Sequence, residues 1–148
     1  MASAPPARRP PDATDPVLEV LDEHECMRLL ASGTVGRLGV TVGAIPAILP
    51  VNYAMLEDSV VFRTGPGTKL RAALDNTVVA FEVDEVDEAT QSGWSVLMVG
   101  IAHELTGTER DEAAALPLEP WAPSGLEHFV AVSRDLVSGR RLLPRHPA

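Results

Sequence analysis

A chain of 148 residues is long enough for one compact domain, and its 45% hydrophobic content gives that domain a core to bury. Aromatic residues make up only 4%, so Val, Leu, Ala and Ile must fill the interior. A formal charge of −9 repels phosphate backbones and argues against nucleic acid as the main partner, and one Cys leaves no internal disulfide and fits a reducing cytoplasm. No apolar run approaches the ~20 residues of a membrane span, and Arg8 and Arg9 lack the following apolar stretch of a signal peptide.

Residues 1–16 are rich in Pro and Ala without apolar periodicity, which predicts a disordered tail ahead of a single domain over 17–148. The character changes in LEVLDEHECMRLLAS (18–32). Asp22 can cap a helix, Glu25 follows three residues later as in a capping box, and Cys26, Leu29 and Leu30 form an apolar stripe that Gly33 ends. TVGRLGVTV (34–42) alternates as a strand, with Leu38, Val40 and Val42 on one face. AIPAILPVNYAML (44–56) is a second extended stretch, and its Pro46 and Pro50 point to an edge or a bulge. Glu57-Asp58 makes a turn into a third strand, SVVFRT (59–64). TKLRAALDN (68–76) reads as a short helix with Leu70, Ala73 and Leu74 inward. VVAFEVDEVD (78–87) and GWSVLMVGIAHELT (93–106) are further strands, DEAAALP (111–117) a short helix cut by Pro117, PLEPWAPSG (117–125) a loop, and 126–143 one or two closing strands. About six strands with short connections and two or three small helices predict a mainly β antiparallel barrel rather than a parallel α/β sheet.

FRTGPGTKL (62–70) is where this pattern carries chemistry. It holds Lys69, the single Lys in a chain with eleven Arg. A strand delivers Arg63 and Thr64, two glycines allow a tight turn, and a helix begins near Thr68. A guanidinium fork, an ammonium, hydroxyls and a helix start suit a phosphate dianion; the same residues also fit an ordinary β–turn–α corner with surface cations. A P-loop is excluded, because Thr68 rather than Gly precedes Lys69 and Leu70 follows it.

The succession LDEHECMRLLASGTVGRLGV, IPAILPVNYAMLEDSVVFRTGPGTKL and VVAFEVDEVDEATQSGWSVLMVGIAHEL resembles the pyridoxamine 5′-phosphate oxidase-like proteins, the FMN-binding split-barrel group. It is most similar to the small bacterial subgroup with nitroimidazole-reductase-like members. The resemblance covers about residues 20–142 and implies a six-stranded split barrel, a homodimer, and FMN at the subunit interface. By position, Arg63, Thr64 and Lys69 would grip the FMN phosphate. Pro50, Val51, Asn52 and Tyr53 of LPVNY would line the isoalloxazine ring, Trp94 and Ser95 would complete the phosphate and ribityl contacts, and Trp121 of EPWAP would approach the flavin from the partner subunit. Read as residues alone, Asn52 also fits a strand-ending turn, Trp94-Ser95 a core ring with a backbone-bonded hydroxyl, and Trp121 a dimer or core plug. Arg140 and Arg141 resemble the family's GRR ending, which would bring them to the flavin pocket or a substrate anion; as residues alone they read as exposed strand-end cations.

Other constellations carry less. His24, His103, His128 and His146 are scattered, and His103 lacks the second His of a zinc helix, so no metal is expected. Cys26 lies on a helix's apolar face and reads as core. The acidic set Glu82, Asp84, Glu85, Asp87 and Glu88 reads as a solvated strand end. The resemblance implies an FMN-dependent oxidoreductase passing hydride or electrons to a small planar substrate. A flavin carrier without turnover, or a relative using deazaflavin or haem, stays open. The basic C-terminal substrate motif of true pyridoxamine-phosphate oxidases is missing, which argues against that activity.

Overall fold

The computed structural model describes residues 16–66, 68–121 and 125–144, without the side chains of residues 68, 69 and 71. The tail expected over 1–16 lies outside the described residues, apart from Pro16.

Alternation along the chain builds a ring. β2 (Val35–Val42) buries Gly36, Leu38 and Val40 and turns Arg37 and Gly39 to the other face. It runs antiparallel to β3 (Ile45–Leu56) on one side and to β5 (Thr77–Asp87) on the other. β3 continues into β4 (Ser59–Thr64), β4 pairs with β7 (His128–Val132), and β7 pairs with the end of β6 (Ser92–Glu104), which lies against β5 along its length. The order β6-β5-β2-β3-β4-β7 therefore closes on itself through the β6–β7 pairing, giving the expected six-stranded antiparallel barrel. Inside it Phe62, Phe81, Leu38 and Met98 are fully buried.

Two strands sit outside the ring. β8 (Leu136–Leu142) pairs with the first half of β6, and β1 (Leu18–Leu21) pairs with β8. Ahead of the Asp22 cap, LEVL carries no predicted element of its own; its backbone completes the β8 edge, from Leu18↔Leu142 to Leu21↔Gly139. β6 changes partner from β8 to β7 near Gly100. There the Ile101 N–H donates to Ser133 Oγ at 3.0 Å, and the Asp135 N–H donates to the Val99 carbonyl at 3.2 Å. A Cβ on Gly100 would lie 1.6 Å from the Ser133 carbonyl oxygen, so the crossing needs a residue without a side chain.

Helix α1 (Glu23–Ser32) begins where Asp22 Oδ1 accepts from the Glu25 N–H at 2.8 Å, and it buries Cys26, Leu29 and Leu30, as the stripe predicts. The capping box is only half made. The Glu25 carboxylate accepts from Arg28 Nη2 at 2.7 Å and from Arg141 Nη2 at 2.5 Å, so it ties α1 to β8. Gly33 follows in an extended rather than left-handed conformation, and the space a Cβ would take there is filled by the Tyr53 hydroxyl. α2 (Thr68–Ala73) packs against β2. α3 (Gly107–Ala114) begins four residues before the predicted helix and stops three before Pro117, with the Ala115 N–H donating to the Glu112 carbonyl as the last turn closes. The closing stretch resolves into two strands, β7 and β8. Among the described residues no helix is long and apolar enough to cross a membrane.

Candidate functional site

β3 and β4 face each other only from Tyr53–Leu56 onward. Before that point the strands diverge, and the space between them is a cavity of about 280 Å³. Pro50, Val51 and Asn52 form one wall, Arg63, Thr64 and Gly65 the other, with Leu70, Leu118 and Leu126 among the apolar groups that complete it. Five of the ten residues singled out in the sequence therefore meet in one place.

Arg63 is held at the rim. Its Nε donates to the Leu126 carbonyl at 2.8 Å, and the guanidinium carbon lies 5.2 Å from the Phe129 ring centroid. Among the described residues its terminal nitrogens have no hydrogen-bond partner, so the charged end of the fork stays available to an anion. Thr64 is buried, and its hydroxyl donates to the Gly65 carbonyl at 3.2 Å. Lys69 lies on α2, next to Leu70 of the cavity wall, and its side chain is outside the description. Asn52 Oδ1 accepts from the Trp121 backbone N–H at 2.9 Å, which anchors the loop after α3 over the same cavity.

Tyr53 is placed differently from its neighbours. Its hydroxyl donates to the Leu30 carbonyl at 2.5 Å, and its ring meets Phe81 edge-on at 4.8 Å. Burial pushes its phenol up to about 12. This side chain fastens α1 to the barrel. The Trp121 ring is 80% exposed, beside Asn52 and Glu119.

Trp94 and Ser95 lie elsewhere. With Arg140, Leu142, Asp84 and Val86 they line a second cavity of about 480 Å³, which shares no residue with the first. Arg140 has no partner among the described residues, whereas Arg141 is bound to Glu25 and Glu19. The sequence treated these two arginines alike; strand alternation separates them. Sequence reasoning missed Leu118 and Leu126, because a loop's Leu carries no periodic signal. Among the described residues no group of three His, Cys, Asp or Glu is placed to hold a metal ion.

The family described as pyridoxamine 5′-phosphate oxidase matches residues 22–141. An uncharacterized protein of Mycobacterium tuberculosis is 36% identical over 141 residues, covering 92% of both chains. The FAD binding protein from Mycobacterium smegmatis shares the fold with a TM-score of 0.71 at 35% identity, over 86% of this chain and 98% of that one. A FAD-binding protein from Mesorhizobium loti does so with a TM-score of 0.68 at 26% identity, over 84% and 98%. The match runs from the cap of α1 into β8 and takes in the whole of the first cavity and most of the second, so this chain belongs to the pyridoxamine 5′-phosphate oxidase family.

Proposed function

We propose that the chain binds a flavin by its FMN portion and acts as an oxidoreductase on a small planar acceptor. The observation that carries this reading is the cavity between β3 and β4, apolar along its length, with the free end of the Arg63 fork at one side and the Asn52 amide at the other. An apolar slot suits a planar ring system, an amide suits its polar edge, and a guanidinium suits a phosphate. The likeness to two FAD-binding proteins supports a flavin, and the same cavity would take the FMN portion of either FMN or FAD.

When bound, the flavin supplies the redox chemistry. The residues supply position. Arg63 is the sole titratable side chain among the described lining residues, so the wall offers no acid or base of its own. Lys69 is assigned to the phosphate with Arg63 and Thr64. Leu118 and Leu126 exclude water from the slot. The lone, buried Cys26 fits a reducing cytoplasm.

A second copy of the chain completes the site in this reading. The cavity is below the ~300–1,000 Å³ of whole small-molecule sites. Ile48, Val78, Leu97, Ile101 and Leu136 are exposed large hydrophobics on the outer face of β3, β5, β6 and β8. Cross-strand pairs Val78↔Ile101 and Val99↔Leu136 make this face continuous. Pro50 alternates in step with Ile48, and Ser95 and Arg140 with Leu97 and Leu136, so both cavities open at margins of this one face. Two-fold pairing through it would set Pro50 and Asn52 of one protomer against Trp94, Ser95 and Arg140 of its partner.

The test is to purify the protein without added cofactor, identify by mass spectrometry the small molecule that travels with it, and measure its oligomeric state in solution. A flavin on a dimer is expected. Lys69→Ala should weaken flavin affinity by about 1.5–3 kcal/mol, the worth of a charge-assisted contact. A colourless monomer that takes up neither FMN nor FAD would overturn the reading.

A further inference from the structure

The second cavity, of about 480 Å³, lies at the β8 margin of the outer face, and its lining is mixed. Leu18, Val86, Trp94 and Leu142 give it apolar walls, and Arg140 stands among them. Arg140 is unusual in a chain with 21 acidic residues against 12 basic ones. Arg28, Arg37, Arg134 and Arg141 form ion pairs, and Arg63 and Arg110 donate to main-chain carbonyls. Among the described residues Arg140 makes neither kind of contact. Asp84 lies two strands away in the same row, but Arg37 holds it at 2.5 Å.

The β3 margin carries the complementary set. Trp121 is the most exposed large apolar side chain among the described residues. Its main-chain N–H is tied to Asn52, and Glu119 shares a crevice with both. The Glu119 carboxylate is exposed and has no ion pair or hydrogen bond among the described residues.

Strand register puts the two margins at one level. Pro50, Arg37, Glu82, Leu97 and Ser138 form a row across β3, β2, β5, β6 and β8. The next row holds Asn52 on β3, Ser95 on β6 and Arg140 on β8. A two-fold axis between two such faces, running along the strands, lays β3 of one copy over β8 of the other without changing the level. Asn52 then faces the partner's Arg140.

Resting on the two-fold pairing put forward with the flavin reading, we propose that the loop corner Glu119–Trp121 of one protomer plugs the second cavity of the other. The Trp121 indole enters the apolar part of that cavity, and the Glu119 carboxylate accepts from the partner's Arg140. Burying the indole favours association, and the charge pair selects which surfaces meet. The contact is made twice in the dimer. Trp121 is thereby assigned to a protein socket rather than to the flavin ring.

The test mixes two full-length variants, Glu119→Arg and Arg140→Glu, and reads the dimers by native mass spectrometry. Alone, each variant sets like charges opposite each other at both contacts, and its dimer should weaken about tenfold or more. Mixed, the two chains restore both ion pairs, so the mixed dimer should dominate over either self-paired one. Trp94→Phe leaves Trp121 as the sole indole of the chain. Its emission should shift to the blue, and resist iodide quenching, as dilute protein is concentrated into dimer. Statistical mixing of the two variants, or Trp121 emission indifferent to dimerisation, would overturn the plug and leave the two-fold pairing standing. A parent chain that stays monomeric would overturn both.

Discussion

The Asn52 side-chain oxygen accepts a hydrogen bond from the Trp121 main chain across 2.9 Å, joining β3 to the loop that follows α3. The two residues are 69 positions apart, and this contact holds the loop against the cavity wall. Asn52→Ala should cost about 1 kcal/mol in unfolding free energy, a typical single hydrogen bond. It should also speed cleavage by chymotrypsin after Trp121. Asn52→Asp keeps the acceptor and should leave the cleavage rate near that of the parent; equal rates in all three proteins would show that the contact does not restrain the loop.

Gly100 marks the place where β6 exchanges β8 for β7. A methyl group there would meet the Ser133 carbonyl at 1.6 Å, against main chain rather than a movable side chain. Gly100→Ala should therefore displace the Ser133–Asp135 link and cost about 3 kcal/mol or more, in the range of the larger single-residue effects. Urea unfolding measures it. A midpoint within error of the parent would mean that the crossing is looser than described.

Glu25 is held well below the usual carboxylate range, at about 2 instead of 4.5, first by its hydrogen bond to Arg28 and next by that to Arg141. The unfolded chain then binds a proton that the folded chain refuses, so the contribution is present above pH 4.5 and lost as pH falls through about 2. Glu25→Gln should lower stability at neutral pH, and the difference from the parent should shrink on acidification across that window. Because the group is only partly buried, added salt should narrow the gap as well. A difference independent of both pH and salt would count against the ion pairs.

Tyr53 works in the opposite direction. Burial raises its phenol from 10 to about 12, so the folded state keeps a proton that the unfolded chain releases. Its contribution is complete below pH 10 and is lost as pH rises through about 12. Tyr53→Phe should remove this alkaline sensitivity. It should also lower neutral stability by about 1 kcal/mol, because the Leu30 carbonyl at the end of α1 loses its donor. Flavin affinity should not change, since the ring points into the core.

The barrel was legible because its causes are local. Period-two alternation in β2 and β5, the short apolar run of β4 and the stripe Cys26, Leu29, Leu30 each appear in a window of a few residues. What escaped was set by partners far along the chain. Leu18–Leu21 becomes a strand because β8 offers an edge more than a hundred residues later. Glu25 leaves its capping box because Arg141 arrives beside it. At the candidate site, Pro50, Val51, Asn52, Arg63 and Thr64 share a cavity because strands β3 and β4 are neighbours in sequence. The pairing of Thr64 with His128 depends on the β7 register, which no short window encodes.

Pro46 and Pro50 have an effect that reaches beyond the single molecule. The Tyr53 N–H points to Thr34, on the β2 side, so by alternation the even-numbered residues of β3 aim their nitrogens the other way, where among the described residues Ile45–Asn52 has no strand beside it. Of the four nitrogens on that margin, those of residues 46, 48, 50 and 52, two belong to proline and carry no hydrogen. A stray polypeptide trying to zip onto Ile48 would find every second rung missing, so this greasy rim can stay open to a flat ligand without seeding fibrils.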